Sequence, residues 1–357
     1  MSNLKTTKSS FKSSGRPTLN DIALKAGVSV STASLVLSDK AKQRRLSDDV
    51  VARVRQVALD LDYSPNLLVQ SLQQGKTDTI SFFNAFRRRS HDDLYMDRLS
   101  TAIEQAGGRQ GYDILVYCVF ERPVEETYRH LNGGRCDGLI FFAAEPDDPL
   151  LPYLRASRLP TVLINSIDPA GALSYVKEDH MDGLAQVADT LVGLGHRRIA
   201  ALTNIPAGNH DADRRIAILR TMLAERGAPI PDRWVVNTDD DRFDDAEDAL
   251  RILMSDPAPP TAIFCWHDRL GYQVLEHCDK LGIVVPDQLT LIGYDGVRWP
   301  AQARHVLASV QVNLNELAEK AILLLQRQIN GEITEPVGIE LPVTITPGTT
   351  LGPPPGL

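Results

Sequence analysis

The chain has 357 residues, 43% of them apolar and 24% charged, a balance that belongs to a folded globular protein rather than a disordered one. The length suits two or three domains, and a net charge of −8, taken alone, argues against a polyanionic partner. The charge is uneven, however: residues 1–76 hold twelve Lys and Arg against six Asp and no Glu, a net +6, while the remainder is −14. A basic head on an acidic body predicts that only the head meets a polyanion. No apolar run reaches the ~18 residues that read as a membrane span. The basic amino terminus has no hydrophobic segment behind it, so neither an anchor nor a secretory signal is expected. Cys118, Cys136, Cys265 and Cys278 show no CxxC and no paired His spacing. Reduced thiols in a cytoplasmic protein fit this pattern, with no metal and no cofactor expected.

Residues 1–16 read as a flexible polar arm. Thr18 is a good N-cap for a first helix over Leu19–Ala26, with Ile22, Ala23 and Ala26 on one face. Gly27 supplies the turn, because a residue without a Cβ takes the left-handed conformation cheaply. Ser29 or Ser31 caps a second helix through about Ser38, and Ser47 caps a third, with Asp48 and Asp49 at its positive end. Three short helices with small residues at the crossing predict a helix-turn-helix over 17–63. In that geometry the second helix lies in the major groove, its first residues nearest the bases. Those are Val30, Ser31 and Leu35, with Thr32 and Ser34 available to phosphates. A three-helix bundle used for protein contacts is the competing reading.

Ser64 as N-cap and Pro65 at the first helical position predict a further helix to Gln74, which Gly75 stops. A helix of about ten residues is marginal in isolation, where ~12–15 are needed. This segment, 64–76, is therefore expected to be a conditional helix that orders only when something holds it.

The stretches "TLNDIA" from Thr18, "AGVS" from Ala26, "TAS" from Thr32, "YSPN" from Tyr63, "SL" at Ser71 and "GKT" from Gly75 occur in order at the spacing of one family. On these the chain resembles the LacI family, the lactose-repressor-like transcriptional regulators, from about Pro17 to Thr350. The resemblance implies a dimer on double-stranded operator DNA. It also implies DNA contact by Thr18, Ser29, Asn66 and Ser71, and a leucine wedge, here Leu72, that unstacks a minor-groove base step. The chain departs from the family at Leu35, where Arg is usual, and at Leu67, Val69 and Gln70 in the hinge. Leu35 cannot make the bidentate contact to guanine that Arg makes, so no operator preference carries over.

From Thr77 onward short apolar runs alternate with helical stretches. The runs are Tyr112–Phe120, Cys136–Ala144, Pro160–Asn165, Arg197–Asn204, Pro260–Trp266 and Leu289–Asp295. The helical stretches include Leu99–Ala106, Asp182–Leu194, Arg214–Gly227 and Leu270–Leu281. Such alternation implies parallel sheets covered on both faces, with ligands beyond the carboxyl ends of strands. The fold class expected is thus a small all-α head plus an α/β body of parallel sheets covered by helices, which the resemblance likens to the periplasmic binding proteins. The resemblance supplies two lobes in 77–350, placed at about 78–194 with 312–338, and about 195–311 with 339–350. The Pro/Gly-rich end, Thr346–Leu357, is expected to fray, with 351–357 a tail. It lacks the leucine heptads of a tetramerising tail, so a homodimer is expected.

The resemblance also implies an effector in the cleft between lobes, favouring a sugar or sugar derivative. Asp295 matches its effector-contacting Asp, with a loop-capping Asp as the alternative. His267 stands where Asn is usual, either to bond a ligand hydroxyl or as a loop histidine. Tyr95 either stacks on a ligand ring or packs in the core. Arg214 or Arg215 falls at an effector-binding Arg position, and Trp266 either lines the cleft or is buried at a strand end. Gly195 and His196 read as a structural turn. The acidic stretch Asn237–Asp248 lacks the spaced ligands and central Gly of a calcium loop. A repressor switched by a small molecule is the leading reading. A solute-binding module without DNA function is the alternative, against which stand the basic head and the want of an expected export signal, and a nucleobase or protein co-regulator is an alternative effector. No nucleophile–base motif suggests an enzyme.

Overall fold

The computed structural model describes residues 17–38, 46–85, 93–119, 121–203, 210–238, 243–298 and 304–356. The predicted amino-terminal arm lies outside them, as does part of the acidic stretch, 239–242. The chain forms two compact units, Met1–Thr77 and Asp78–Leu357.

The first unit opens with α1, Leu19–Ala26, which Gly27 closes at φ 63° in the left-handed region that favours glycine. Helix α2 is Val30–Leu37, and Ser29 is its N-cap. Helix α3 is Asp48–Asp60; Ser47 occupies the cap position without a side-chain cap bond. The core is built of Ile22, Ala23, Ala26, Ala33, Val36, Val54, Val57 and Ala58, with Tyr63 packed against it. Small side chains let the three helices approach closely, and Arg53 Nε donates to Ala26 O at 3.0 Å, tying α3 to the end of α1. Helix α4 runs Leu67–Gln74, two residues later than the Ser64–Pro65 signal predicts. Asn66, itself a residue of capping type, stands immediately before it.

The second unit contains two six-stranded sheets. The first comprises β1 (Thr79–Asn84), β2 (Asp113–Val116), β3 (Gly138–Phe142), β4 (Thr161–Ile164), β5 (Ser174–Glu178) and β11 (Gly338–Leu341), in the order β11-β5-β4-β3-β1-β2. The second comprises β6 (Ile199–Thr203), β7 (Val235–Asn237), β8 (Ala262–Cys265), β9 (Thr290–Asp295), β10 (Ala308–Gln311) and β12 (Thr344–Thr346), in the order β12-β10-β9-β8-β6-β7. Every pairing is parallel except β10 with β12. Between strands run α5 (Leu94–Arg109), α6 (Val124–Leu131), α7 (Leu151–Arg155), α8 (His180–Gly193), α9 (His210–Glu225), α10 (Phe243–Met254), α11 (Asp268–Leu281) and α12 (Leu314–Ile329). The inner strands β3, β4, β6 and β8 are buried along their whole length, as strands covered on both faces must be.

Three expectations need correction. Helix α8 packs on α9 and β12, with the second sheet and not, as 78–194 implied, the first. Gly183 permits this, since a Cβ there would meet Tyr294 Oη at 2.8 Å. Residues 339–341, expected in the second lobe, belong to β11 and pair with β5 of the first sheet. The chain thus crosses between lobes near Asp179, near Asn313 and between β11 and β12; the first two crossings end in the helix N-caps Asp179 and Asn313. Finally, the carboxyl end is held rather than frayed as far as Gly352. Thr350 is fully buried: its Oγ1 donates to Leu291 O at 2.7 Å and accepts from Ala308 N–H at 2.8 Å. Gly352 N–H donates to Thr290 Oγ1 at 3.0 Å, and its carbonyl lies 2.8 Å from His196 Nε2. A hydroxyl and one peptide group are enough to anchor a segment whose composition argues against packing. His196 is buried, and burial holds its imidazole below the usual range.

Among the described residues no helix is long and apolar enough to cross a membrane, and no His/Cys/Asp/Glu group is placed to hold a metal. The four cysteines are free, three of them buried.

Candidate functional site

On the first unit, the residues expected at a nucleic-acid interface fall into two sets. Thr18 Oγ1 and its N–H both donate to Asp21 Oδ2, at 2.6 and 2.8 Å, and Asp21 N–H donates back to Thr18 Oγ1. This is a capping box, and the Thr18 hydroxyl holds the Asp21 carboxyl below its ordinary range. Ser29 Oγ likewise accepts Thr32 N–H at 3.1 Å and lies within 3.0 Å of the hydroxyls of Ser31 and Thr32. Both residues are therefore helix caps first. Val30 and Ser31 are exposed at the start of α2, while Thr32, Ser34 and Leu35 are half-buried along it. On α4, Leu72 is 85% exposed and Val69 is also exposed, an apolar surface on a helix of eight residues. Asn66 is exposed just before that helix, and Ser71 is half-buried within it.

In the second unit a buried ionic cluster gathers at the carboxyl ends of strands from both sheets. Arg215 lies on α9 and is 4% exposed. It pairs with Asp295, the last residue of β9, at 3.3 Å, and with Glu178, the last residue of β5, at 3.4 Å. Its Nη1 also donates to Trp266 O at 3.2 Å. The guanidinium lies over the Tyr294 ring, 4.1 Å from its centroid, and 5.9 Å from that of Trp266. His180 Nδ1 is 3.2 Å from Tyr294 Oη, and its Nε2 is 3.9 Å from Glu178 Oε1. One arginine thus joins a carboxylate from each sheet. Asp295 holds φ 99°, a conformation rare outside glycine. Burial pushes its carboxyl up to about 7, partly opposed by Arg215 and His267. The neighbouring Asp268 is raised well above the usual range by burial and is taken up locally, accepting from Ser309 Oγ and from Val297 N–H, both at 2.6 Å.

The structure separates the candidates that the sequence left undecided. Arg215 enters the cluster and Arg214 is exposed. His267 is the N-cap of α11, its Nδ1 accepting Leu270 N–H at 3.0 Å, which accounts for it as a capping residue. Trp266 follows β8, half-buried, stacked near His267 and Arg215. Tyr95 is paired not with Arg215 but with a residue after β4: its Oη accepts from Asn165 Nδ2 at 2.6 Å, and its ring lies 6.1 Å from that of Phe142. A cavity of about 750 Å³ opens between α5 and the second sheet, with Asp97, Arg98 and Thr101 on one wall and Asp295, Gln311 and Asn313 on the other. Asp295 is the one effector candidate that lines it. Arg98 reaches across to Gly296 O and Arg298 O at 3.5 and 3.4 Å, so the first lobe already grips the loop after β9.

Among the buried side-chain polar atoms of the described residues that have no hydrogen-bond partner are Asn165 Oδ1, Glu178 Oε2, Thr203 Oγ1 and Trp266 Nε1. Asn165 follows β4, Glu178 ends β5, Thr203 ends β6 and Trp266 follows β8. Native interiors pair nearly all such groups, and these four stand at strand carboxyl ends of both sheets, the end at which α/β folds take their ligands. Glu178, His180 and Tyr294 were not foreseen from sequence. The signal for Glu178 was present: in β5 it shares the buried face with Ser174 and Val176, and an acid in a buried register needs a partner.

The family described as bacterial regulatory proteins, lacI family, matches residues 18–66, and the periplasmic binding protein-like domain matches residues 188–351. The chain is 28% identical over 334 residues to the ribose operon repressor of Escherichia coli (strain K12), covering 92% of this chain and 97% of that protein. It is 27% identical over 329 residues to the HTH-type transcriptional repressor PurR of Shigella sonnei (strain Ss046), covering 91% and 94%. Among solved structures, the lac repressor bound to ONPG in the repressed state superposes with a TM-score of 0.80 at 20% identity, covering 94% of this chain and all of that one.

Proposed function

Because the chain belongs to the lacI family of bacterial regulatory proteins, we propose that it is a sequence-specific DNA-binding repressor whose operator affinity a small molecule sets from between the two lobes. The head is the DNA reader. Paired in a homodimer, two α2 helices meet the half-sites of a pseudo-palindrome, and Leu72 of each α4 enters the minor groove as a wedge. The effector is a neutral polyhydroxylated molecule, a sugar or sugar derivative. In support, the relatives include a ribose operon repressor, and the lac repressor structure holds ONPG. Within this chain, two carboxylates, Glu178 and Asp295, share the Arg215 guanidinium. That charge balance suits hydroxyls better than a phosphate or a carboxylate.

The observation that carries the reading is the Arg215 bridge between the last residues of β5 and β9, two of whose neighbours, Glu178 Oε2 and Trp266 Nε1, lack a hydrogen-bond partner. A ligand that re-pairs these groups binds one lobe arrangement better than another and shifts the equilibrium by that difference alone. The test is a thermal-shift screen of neutral sugars, sugar phosphates and nucleosides, followed by operator titration with each stabilising compound. A neutral sugar should raise Tm by mass action and change operator affinity. Stabilisation confined to sugar phosphates or nucleosides refutes the effector class. Stabilisation by a sugar without any change in operator affinity refutes the switch.

A further inference from the structure

Helix α2, Val30–Leu37, reads VSTASLVL: it contains no charged side chain and no amide. The twelve basic residues of the head all lie outside it in sequence. Of those near it, Arg53 is occupied by Ala26 O and Asp49. Reading a base edge by two parallel hydrogen bonds requires the guanidinium of Arg or the amide of Asn or Gln, or the ammonium of Lys. None of these exists along α2. Its first-turn hydroxyls, Ser29, Ser31 and Thr32, are already bonded to one another and to the Thr32 amide. What the helix offers outward at its start is the Val30 side chain, 43% exposed, with the half-buried Leu35 five residues further on. Ala33 and Val36 face the core.

Resting on the reading of the head as a DNA reader, we infer that α2 recognises thymine, through its 5-methyl group, by apolar contact from Val30 and Leu35, and that guanine is not read by this helix. The labour is divided. Cations elsewhere in the head hold the phosphates without regard to sequence, and α2 selects A·T pairs by burying methyl groups that only thymine presents in the major groove. Each contact is weaker than a bidentate one, so discrimination is spread over several thymines in each half-site instead of residing in one guanine.

The experiment uses the full chain. Selection from a random duplex pool yields the preferred operator. Each thymine of that operator is then replaced singly by deoxyuracil, which removes the methyl and nothing else. At the positions read by α2, binding should weaken about fourfold per methyl, the worth of one buried methyl-sized group, and about fifteenfold when both half-sites are changed. In Val30→Ala, and in Val30→Ala with Leu35→Ala, uracil and thymine operators should bind alike at those positions. Val30 is exposed, so the single variant remains a fair test should the double variant unfold. Indifference of the wild-type chain to every uracil replacement overturns the inference. So does enrichment of guanine whose replacement by 7-deazaguanine, which removes the major-groove N7 acceptor, removes binding that α2 variants also lose. Failure to enrich any sequence, with the chain folded, strikes instead at the DNA-regulator reading beneath it.

Discussion

The head and the body treat polar groups in opposite ways. Among the described residues the head buries only apolar side chains, mostly Ala and Val, and keeps its charges outside. The body buries Glu178, Arg215, Asp268 and Asp295 beside its apolar strands. A surface site such as the head's can change without disturbing what holds the head together. The body's site is part of its interior, so affinity and stability are coupled there: whatever re-pairs Arg215 also alters what the fold costs.

The sharpest test of that contrast is Arg215→Ala. It leaves Glu178 and Asp295 buried without their cation, a loss of about 3–5 kcal/mol, read by denaturant unfolding of the full chain. A loss near zero would mean that the cluster is open to water and the contrast is false. Leu72→Ala should do the reverse, weakening operator binding roughly tenfold or more in a gel-shift titration with the melting temperature unmoved, because Leu72 is exposed. A drop in stability without loss of affinity would make it a packing residue.

Asp295→Asn sharpens the body's side through pH. The folded carboxyl titrates at about 7 against 3.8 unfolded. Between those values the folded chain keeps a proton that the unfolded chain has released, so this group's contribution to stability falls as pH rises from about 4 to about 7. Stability measured across that range should slope less in the variant than in the wild type; parallel curves would show that Asp295 ionises freely. The smallest effect expected is Thr18→Ala, about 1 kcal/mol of head stability for the lost cap. Weaker operator binding with unchanged head stability would instead make Thr18 a DNA contact.

Much of the architecture was legible in the sequence because it is written in local codes. Thr18, Gly27 and Ser29 bound their helices as cap chemistry requires, and the six apolar runs each contain a strand. What escaped is non-local. Strand β5 alternates buried and half-buried residues in a run too polar to stand out, and β11 and β12 are short edge strands whose sheet is decided by pairing partners far away in sequence. The helix α8 was assigned by chain order, but the absence of a side chain at Gly183 lets it sit on the other lobe. The site followed the same rule. Strand-end placement pointed to Asp295 and to His267, the second of which caps α11. It could not choose Arg215 over Arg214, because the choice depends on which face of α9 meets Glu178 from the opposite sheet.

The interleaved path of the chain has a consequence for synthesis. The first sheet needs α12 and β11, and the second needs β12 and the strap through Thr350 and Gly352. Neither lobe is a contiguous piece, so neither can be completed on the ribosome while the final forty or so residues are still unmade. A premature stop near residue 312 would spoil both halves at once, leaving the independently packed head, already translated, attached to a body unable to mature.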